Sequence, residues 1–308
     1  MLSFDFLVAQ LLNGIQFGIM LFLIAAGLTL VLGIMNLINL AHGSLYMIGA
    51  YLGATFIVQT GSFLIGTLAA IVGTVAVALL LEELVLRKLY KASHLHQVLG
   101  TFGIVLFLNE VARIIWGSGA QFIPTPEFLK GQLVLFGDVV YPVYRITIIA
   151  VGLAVAALLY VMIAYTRLGM LIRAGASNRD MAAALGININ RLLTVVFGLG
   201  AALAALAGLL LGPLLSIQPG AGDPIVITAL VVLVIGGIGS IRGAFFSALL
   251  IGIVDTLGRS FLPPLFQYVF STSVADTAAP IIASLLIYLL MTVILVMRPQ
   301  GLFPARMG

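Results

Sequence analysis

The feature that most constrains this chain is a run from residue 6 to residue 81 that contains no Asp, Glu, Lys or Arg. No soluble core element is that long without a charge. One membrane crossing takes about 20 apolar residues, so the run has room for roughly three. The remainder has the same character, with 62% of residues hydrophobic and 8% charged, against roughly a quarter charged in soluble domains. A water-soluble fold of 308 residues could not cover its surface with so few charges. The expectation is an all-α polytopic transmembrane helical bundle in which residues 1–308 form one membrane domain with short loops.

There is no cysteine, which excludes a disulfide framework and a thiolate metal site. A formal net charge of +4 would suit a nucleic-acid partner. In a membrane chain, however, surplus Lys and Arg marks cytoplasmic loops, so the expected surroundings are lipid and not nucleic acid. No basic residue precedes the first apolar stretch, which is therefore read as a retained span and not a cleaved signal.

Charges and helix breakers divide the chain into spans. The first is 6–32. A second follows the polar break at Asn36, Asn39 and His42 and ends near Gln59. Further spans fall at 63–86, 98–116, 146–165, 192–211 and 225–235. A glycine cluster, Gly236, Gly237, Gly239 and Gly243, opens the eighth, which ends near Leu257, and the last is 280–297. Nine crossings fit best; eight follow if the second or seventh, both broken by Gly and Asn, is re-entrant.

Ten of the 14 Lys and Arg residues then share one side: Arg87, Lys88, Lys91, Arg167, Arg173, Arg179, Arg191, Arg242, Arg298 and Arg306. That side is expected to be cytoplasmic, with the N-terminus outside and the C-terminus inside. The opposite loops carry Glu127, Asp138, Asp223 and Asp276, with Lys130 and Arg145. The segments 40–45 and 240–245 each follow a glycine-containing break and open a small-residue helix, which reads as an internal repeat.

Ion-coupled carriers need ionisable groups inside the membrane. Most spans read as free of them, and Glu110 with Arg113 and Asp255 with Arg259 read as neutralising pairs near span ends. Energy for any pumping must therefore come from a partner. His42, His94 and His96 form no metal set, and no Gly-rich loop ends in Lys-Ser/Thr, so no catalytic or ATP site is expected in this chain.

The loop 167–191 carries the sharpest positive signal. Ser177, Asn178, Arg179 and Asp180 have the form of an N-cap followed three residues later by an acid. Met181, Ala182, Ala184 and Leu185 belong to a helix-forming run with Met181, Ala184 and Leu185 on one face, and Gly186 suits the C-terminal cap. This is either an ordinary interfacial helix or a lever that docks into another protein.

Asp180-Met181-Ala182 followed by Gly186 resembles the loop by which ABC importer permeases meet their ATPases, with Asp and Met where the general loop has Glu and Ala. Residues 173–188, 33–43, 47–51, 236–243 and the tail Arg298-Pro299-Gln300-Gly301-Leu302-Phe303 resemble the branched-chain amino acid permeases, closest to the shorter of that system's two permease subunits. The resemblance implies a bacterial inner-membrane complex with a second homologous permease, two cytoplasmic ATPases and a periplasmic solute-binding protein. ATP would be used by the partners, and this chain would bind no cofactor. Urea, short-amide and aromatic-acid importers share these motifs, so the solute stays open, as does a passive channel for a small neutral solute. The candidate substrate path uses the two breaks: Asn36, Asn39, His42, Gly43 and Ser44, with Gly236, Gly237, Gly239, Ser240 and Gly243. The candidate ATPase-coupling helix is Ser177 to Gly186.

Overall fold

The computed structural model describes residues 4–90, 92–135 and 139–303; Lys91, Asp138 and Arg306 lie outside the described residues. Eleven helices follow in order: α1 (Phe4–Met35), α2 (His42–Thr60), α3 (Phe63–Leu81), α4 (His94–Trp116), α5 (Val143–Tyr165), α6 (Arg167–Ser177), α7 (Arg179–Ala184), α8 (Ile189–Leu211), α9 (Gly222–Gly236), α10 (Ile241–Phe266) and α11 (Thr272–Met297). A π-helical turn, Glu82–Leu86, carries α3 on to Leu89. Between α4 and α5, β1 (Gln132–Val134) pairs antiparallel with β2 (Val140–Pro142). This is a polytopic helical membrane protein.

Among the described residues, seven helices are long and apolar enough to cross a membrane: α1, α3 with its extension, α4, α5, α8, α10 and α11. The two predicted spans outside that set are the second and the seventh, the two named as possible re-entrant segments. α2 opens with the polar His42 and Ser44 and closes with Gln59 and Thr60, while α9 is only 15 residues long. Each starts inside the bundle, where Gly43 and Gly222 meet.

α1 is the hub, with residues from Ile19 to Ala26 at most 1% exposed. It approaches α10 at backbone distance because both helices carry glycine at the crossing. A Cβ on Gly18 would stand 2.8 Å from the Ala248 carbonyl oxygen, and one on Gly252 2.4 Å from that of Gly14. Small residues are the means by which membrane helices pack where no hydrophobic force draws them together. The same device joins α2 to α8, where a Cβ on Gly208 would stand 2.1 Å from the Tyr46 carbonyl oxygen. Helices α3, α4, α5 and α11 form the rim, with Leu68, Phe107, Leu158 and Leu289 among their exposed apolar side chains.

The predicted basic loops gather at one end. Arg87 reaches Thr194 at the start of α8, Gly175 of α6 touches Ile34 at the end of α1, and the tail at Phe303 lies against Gly237. At the other end Phe6 packs on Phe261, and Gln121 bridges Ile217.

Several boundaries differ from expectation. α10 runs through Pro263 and Pro264 to Phe266, well past Leu257, and α11 begins at Thr272 with Pro280 inside it and not at its start. Proline is tolerated within membrane helices because side chains and neighbouring helices satisfy the freed carbonyls. Here Pro264 falls in the last turn of α10, and Gln267 N donates to the Pro263 carbonyl at 3.1 Å.

Candidate functional site

After α1 the chain does not turn directly into α2. Asn36 takes a left-handed conformation, φ 48°, the only non-glycine residue to do so among the described residues. Asparagine adopts that conformation more readily than other side chains. Residues 36–41 are unwound, yet Leu37, Asn39 and Ala41 are buried. Unwound backbone at membrane depth survives only when protein or a water-filled path satisfies it, and here α4 does so. Ile38 N donates to Gln97 Oε1 and Leu40 N to Thr101 Oγ1, each at 3.3 Å. Asn39 Oδ1 accepts from Ala41 N at 3.1 Å. Gln97 is itself fixed through Nε2 to the carbonyls of Leu89 and Ala92. Sequence reasoning missed Gln97 and Thr101, although two polar residues four apart on an apolar helix were a signal.

His42 opens α2 fully buried, wedged between two other helices. A Cβ on Gly27 of α1 would stand 2.8 Å from His42 Nε2, and one on Gly200 of α8 3.4 Å from Cε1. The imidazole lies towards the Ile24 carbonyl, outside hydrogen-bonding geometry. Thr29 Oγ1, Asn39 Nδ2 and Ser44 Oγ are likewise buried without a protein partner. Each such group costs ~1–3 kcal/mol when left unsatisfied; others lie on Tyr51, Thr74 and Asn109, while Asn39, His42 and Ser44 place three such residues at the α1–α2 break.

The second set lies elsewhere. A Cβ on Gly243 would stand 2.0 Å from the Gly236 carbonyl oxygen, so α9 and α10 touch by backbone. Gly237 and Gly239 take positive φ, 100° and 81°, and Ser240 caps α10 by accepting from Gly243 N at 3.1 Å. The tail covers this turn: Leu302 N donates to the Ile235 carbonyl at 2.8 Å and Phe303 N to that of Gly236 at 3.1 Å. Thus Asn39, His42, Gly43 and Ser44 sit within the bundle, while Gly236, Gly237, Gly239 and Ser240 form a capped turn at its basic end. The segments 40–45 and 240–245 differ locally, one following an unwound strand and the other a tight glycine turn. Asp223, expected in an outer loop, is in the first turn of α9 and accepts from Asn109 Nδ2 at 3.4 Å.

The loop 167–191 holds two helices and not one. α6, unanticipated, is capped by Thr166, whose Oγ1 accepts from Gly169 N at 3.1 Å. Its Arg173 donates to the Ile163 carbonyl, tying it to α5. α7 is capped by Asn178 and not Ser177, which ends α6; Asn178 Oδ1 accepts from Met181 N at 2.9 Å. The expected glycine cap is present. Gly186 has φ 87°, its N–H donates to the Ala183 carbonyl at 2.9 Å, and Ile187 N donates to that of Ala182 at 3.1 Å, a complete Schellman motif. Ala182 faces the bundle at 3% exposure, while Met181 and Leu185 are 59% and 77% exposed. Met170 of α6 is exposed as well. Arg179 is half-buried, and that burial lowers its pKa, opposed by Asp180 and Tyr90.

Two carboxylates are buried: Glu82 at 1% exposure, in a span read as free of charge, and Asp255 at 5%, in the pair expected near a span end. Each brings its own arginine one turn on, so each pair enters as a neutral unit. Arg87 Nε donates to Glu82 at 3.1 Å, and Arg259 Nε donates to both Asp255 oxygens at 2.9 Å. Glu110 and Arg113, 3.2 Å apart, are both more than half exposed, as expected of an interface pair.

A family model described as the branched-chain amino acid transport system permease component matches residues 10–296. The high-affinity branched-chain amino acid transport system permease protein LivH of Escherichia coli (strain K12) is 34% identical over 284 residues, 87% of this chain and 91% of that protein. The corresponding BraD of Pseudomonas aeruginosa is 34% identical over 308 residues, 95% and 94% of the two chains. The solved structure of PsaBC from Streptococcus pneumoniae in complex with Fab is similar at a TM-score of 0.45, with 16% identity, covering 91% of this chain and 89% of that one. By the span of the family match and the identity to these two permeases, this chain belongs to the branched-chain amino acid transport system permease component family.

Proposed function

We propose that this chain is a membrane-spanning subunit of an ATP-driven importer, moving a branched-chain or other hydrophobic amino acid handed over by a periplasmic binding protein. The observation that carries the reading is the α6–α7 elbow. It is a capped, anchored structure that leaves Met170, Met181 and Leu185 bare at the end where the basic loops gather. That end is taken as cytoplasmic, with the N-terminus outside. ATPase subunits seat on the elbow, a second homologous permease completes the membrane part, and ATP is bound by the partners. The solute passes beside the α1–α2 break, where Thr29, Asn39, His42 and Ser44 hold hydrogen-bonding capacity. The chain contributes no catalytic group and works as one membrane domain.

Uptake of labelled leucine into cells expressing the complete complex, competed by isoleucine, valine, phenylalanine or urea, tests the solute. Competition by the aliphatic amino acids and none by urea is the expected result. Strong competition by urea with none by valine would reassign the substrate to short amides.

A further inference from the structure

Glu82 is a buried charge that transport as outlined above leaves unused. It opens the π-helical turn Glu82–Leu86 at the end of α3, and such turns recur at functional sites. Both its oxygens are engaged. Oε1 accepts from Tyr90 Oη at 2.6 Å and from Arg87 Nε at 3.1 Å, and Oε2 accepts from Thr194 Oγ1 at 3.1 Å. Arg87 also donates to Thr194 Oγ1 at 3.2 Å and to Glu83 at 3.2 Å. Thr194 lies near the start of α8, which follows α7 after only the Gly186 cap and Asn188, whose Oδ1 accepts from Arg191 N at 3.0 Å. Arg179 of α7 lies within electrostatic reach of Tyr90.

The cluster therefore fastens the end of α3 to the start of α8, directly beside the elbow. These two helices are also the walls of α2. A Cβ on Gly66 of α3 would stand 3.0 Å from the Gly53 carbonyl oxygen, and one on Gly49 2.4 Å from Ala205 Cα of α8. We propose that Glu82 is a positioning residue for coupling: its hydrogen bonds make the ends of α3 and α8 move with α7, so that motion imposed on the elbow reaches both helices that flank α2. The inference rests on the ATP-driven reading. A buried ion pair adds little net stability over a hydrophobic substitute, whereas the bonds from Glu82 and Arg87 to Thr194 hold two helix ends in one register. The π turn supplies a compliant joint between that latch and the body of α3.

The test uses the assembled complex in proteoliposomes, measuring ATP hydrolysis and leucine uptake in the same vesicles. Thr194→Val cuts the tie to α8 and leaves the Glu82–Arg87 pair intact. Hydrolysis should stay close to wild type while leucine moved per ATP falls about fivefold or more, and Thr194→Ser, which keeps the hydroxyl, should restore the ratio. Should Thr194→Val fail to assemble, Thr194→Ala removes the same hydroxyl and is read in the same way. An unchanged ratio, or an equal fall in Thr194→Ser, overturns the inference. A wild-type complex that moves no leucine with ATP overturns the transport reading and this one with it.

Discussion

Around His42 the chain has stripped two neighbouring helices to backbone, and that exchange explains glycines that no sequence pattern singled out. The ring fits because Gly27 and Gly200 carry no Cβ, and the two sites differ in how much room they leave. An added methyl at Gly27 would meet the Gly200 carbonyl oxygen and His42 Nε2, both at 2.8 Å, whereas one at Gly200 would meet its nearest atom at 3.1 Å. Overpacking of this kind costs typically ~1–3 kcal/mol. Gly27→Ala should therefore lower the thermal midpoint in detergent more than Gly200→Ala; the reverse order would mean that the crossing relaxes elsewhere. Asn36, Asn39, His42 and Ser44 were legible as a polar interruption in an apolar run. Gly27, Gly200, Gln97 and Thr101 were not, because their role depends on which helices are neighbours.

At the scale of elements, the elbow was half legible. The Gly186 cap and the exposed face of Met181 and Leu185 follow from local helix chemistry. The cap slipped from Ser177 to Asn178 because α6 continues through Ser177, and α6 was hidden because it is short and its buried contacts, Gly169, Ile172 and Gly175, are mostly glycine. Gly186 has open space around its missing Cβ, so Gly186→Ala acts through φ alone, at about 1–2 kcal/mol. Asn178→Ala should cost about 1 kcal/mol through loss of the N-cap. Both should raise amide hydrogen exchange across 179–186 while leaving α8 protected. Equal loosening of α8 would show that the elbow and the span unfold together. The long α10 and α11 show the limit of proline as punctuation: Pro280 read as the start of the last span but lies inside α11, and α10 runs on through Pro263 and Pro264.

At the scale of the molecule, alternation of charge-free spans was enough to place the basic loops at one end, and the described contacts gather them there. Which end faces the cytoplasm is tested in this cysteine-free chain by single cysteines at exposed positions. Those at His94, Ala176 and Gln300 should react with an impermeant maleimide only after the cytoplasmic face is opened. Those at Ser118 and Tyr268 should react in intact cells, and the opposite pattern would invert the orientation. The pair at Glu82 and the burial of Asp255 were not legible, since burial of a paired charge depends on packing between distant helices. If work enters through the elbow from a nucleotide-hydrolysing partner, leucine flux into proteoliposomes must depend on that partner. The chain alone should pass no solute. The full complex with binding protein and ATP should accumulate leucine, and Met181→Glu or Ala184→Glu should abolish uptake by loosening the ATPases. Flux through the chain alone, without ATP and unchanged by these substitutions, would contradict the account and identify a passive channel.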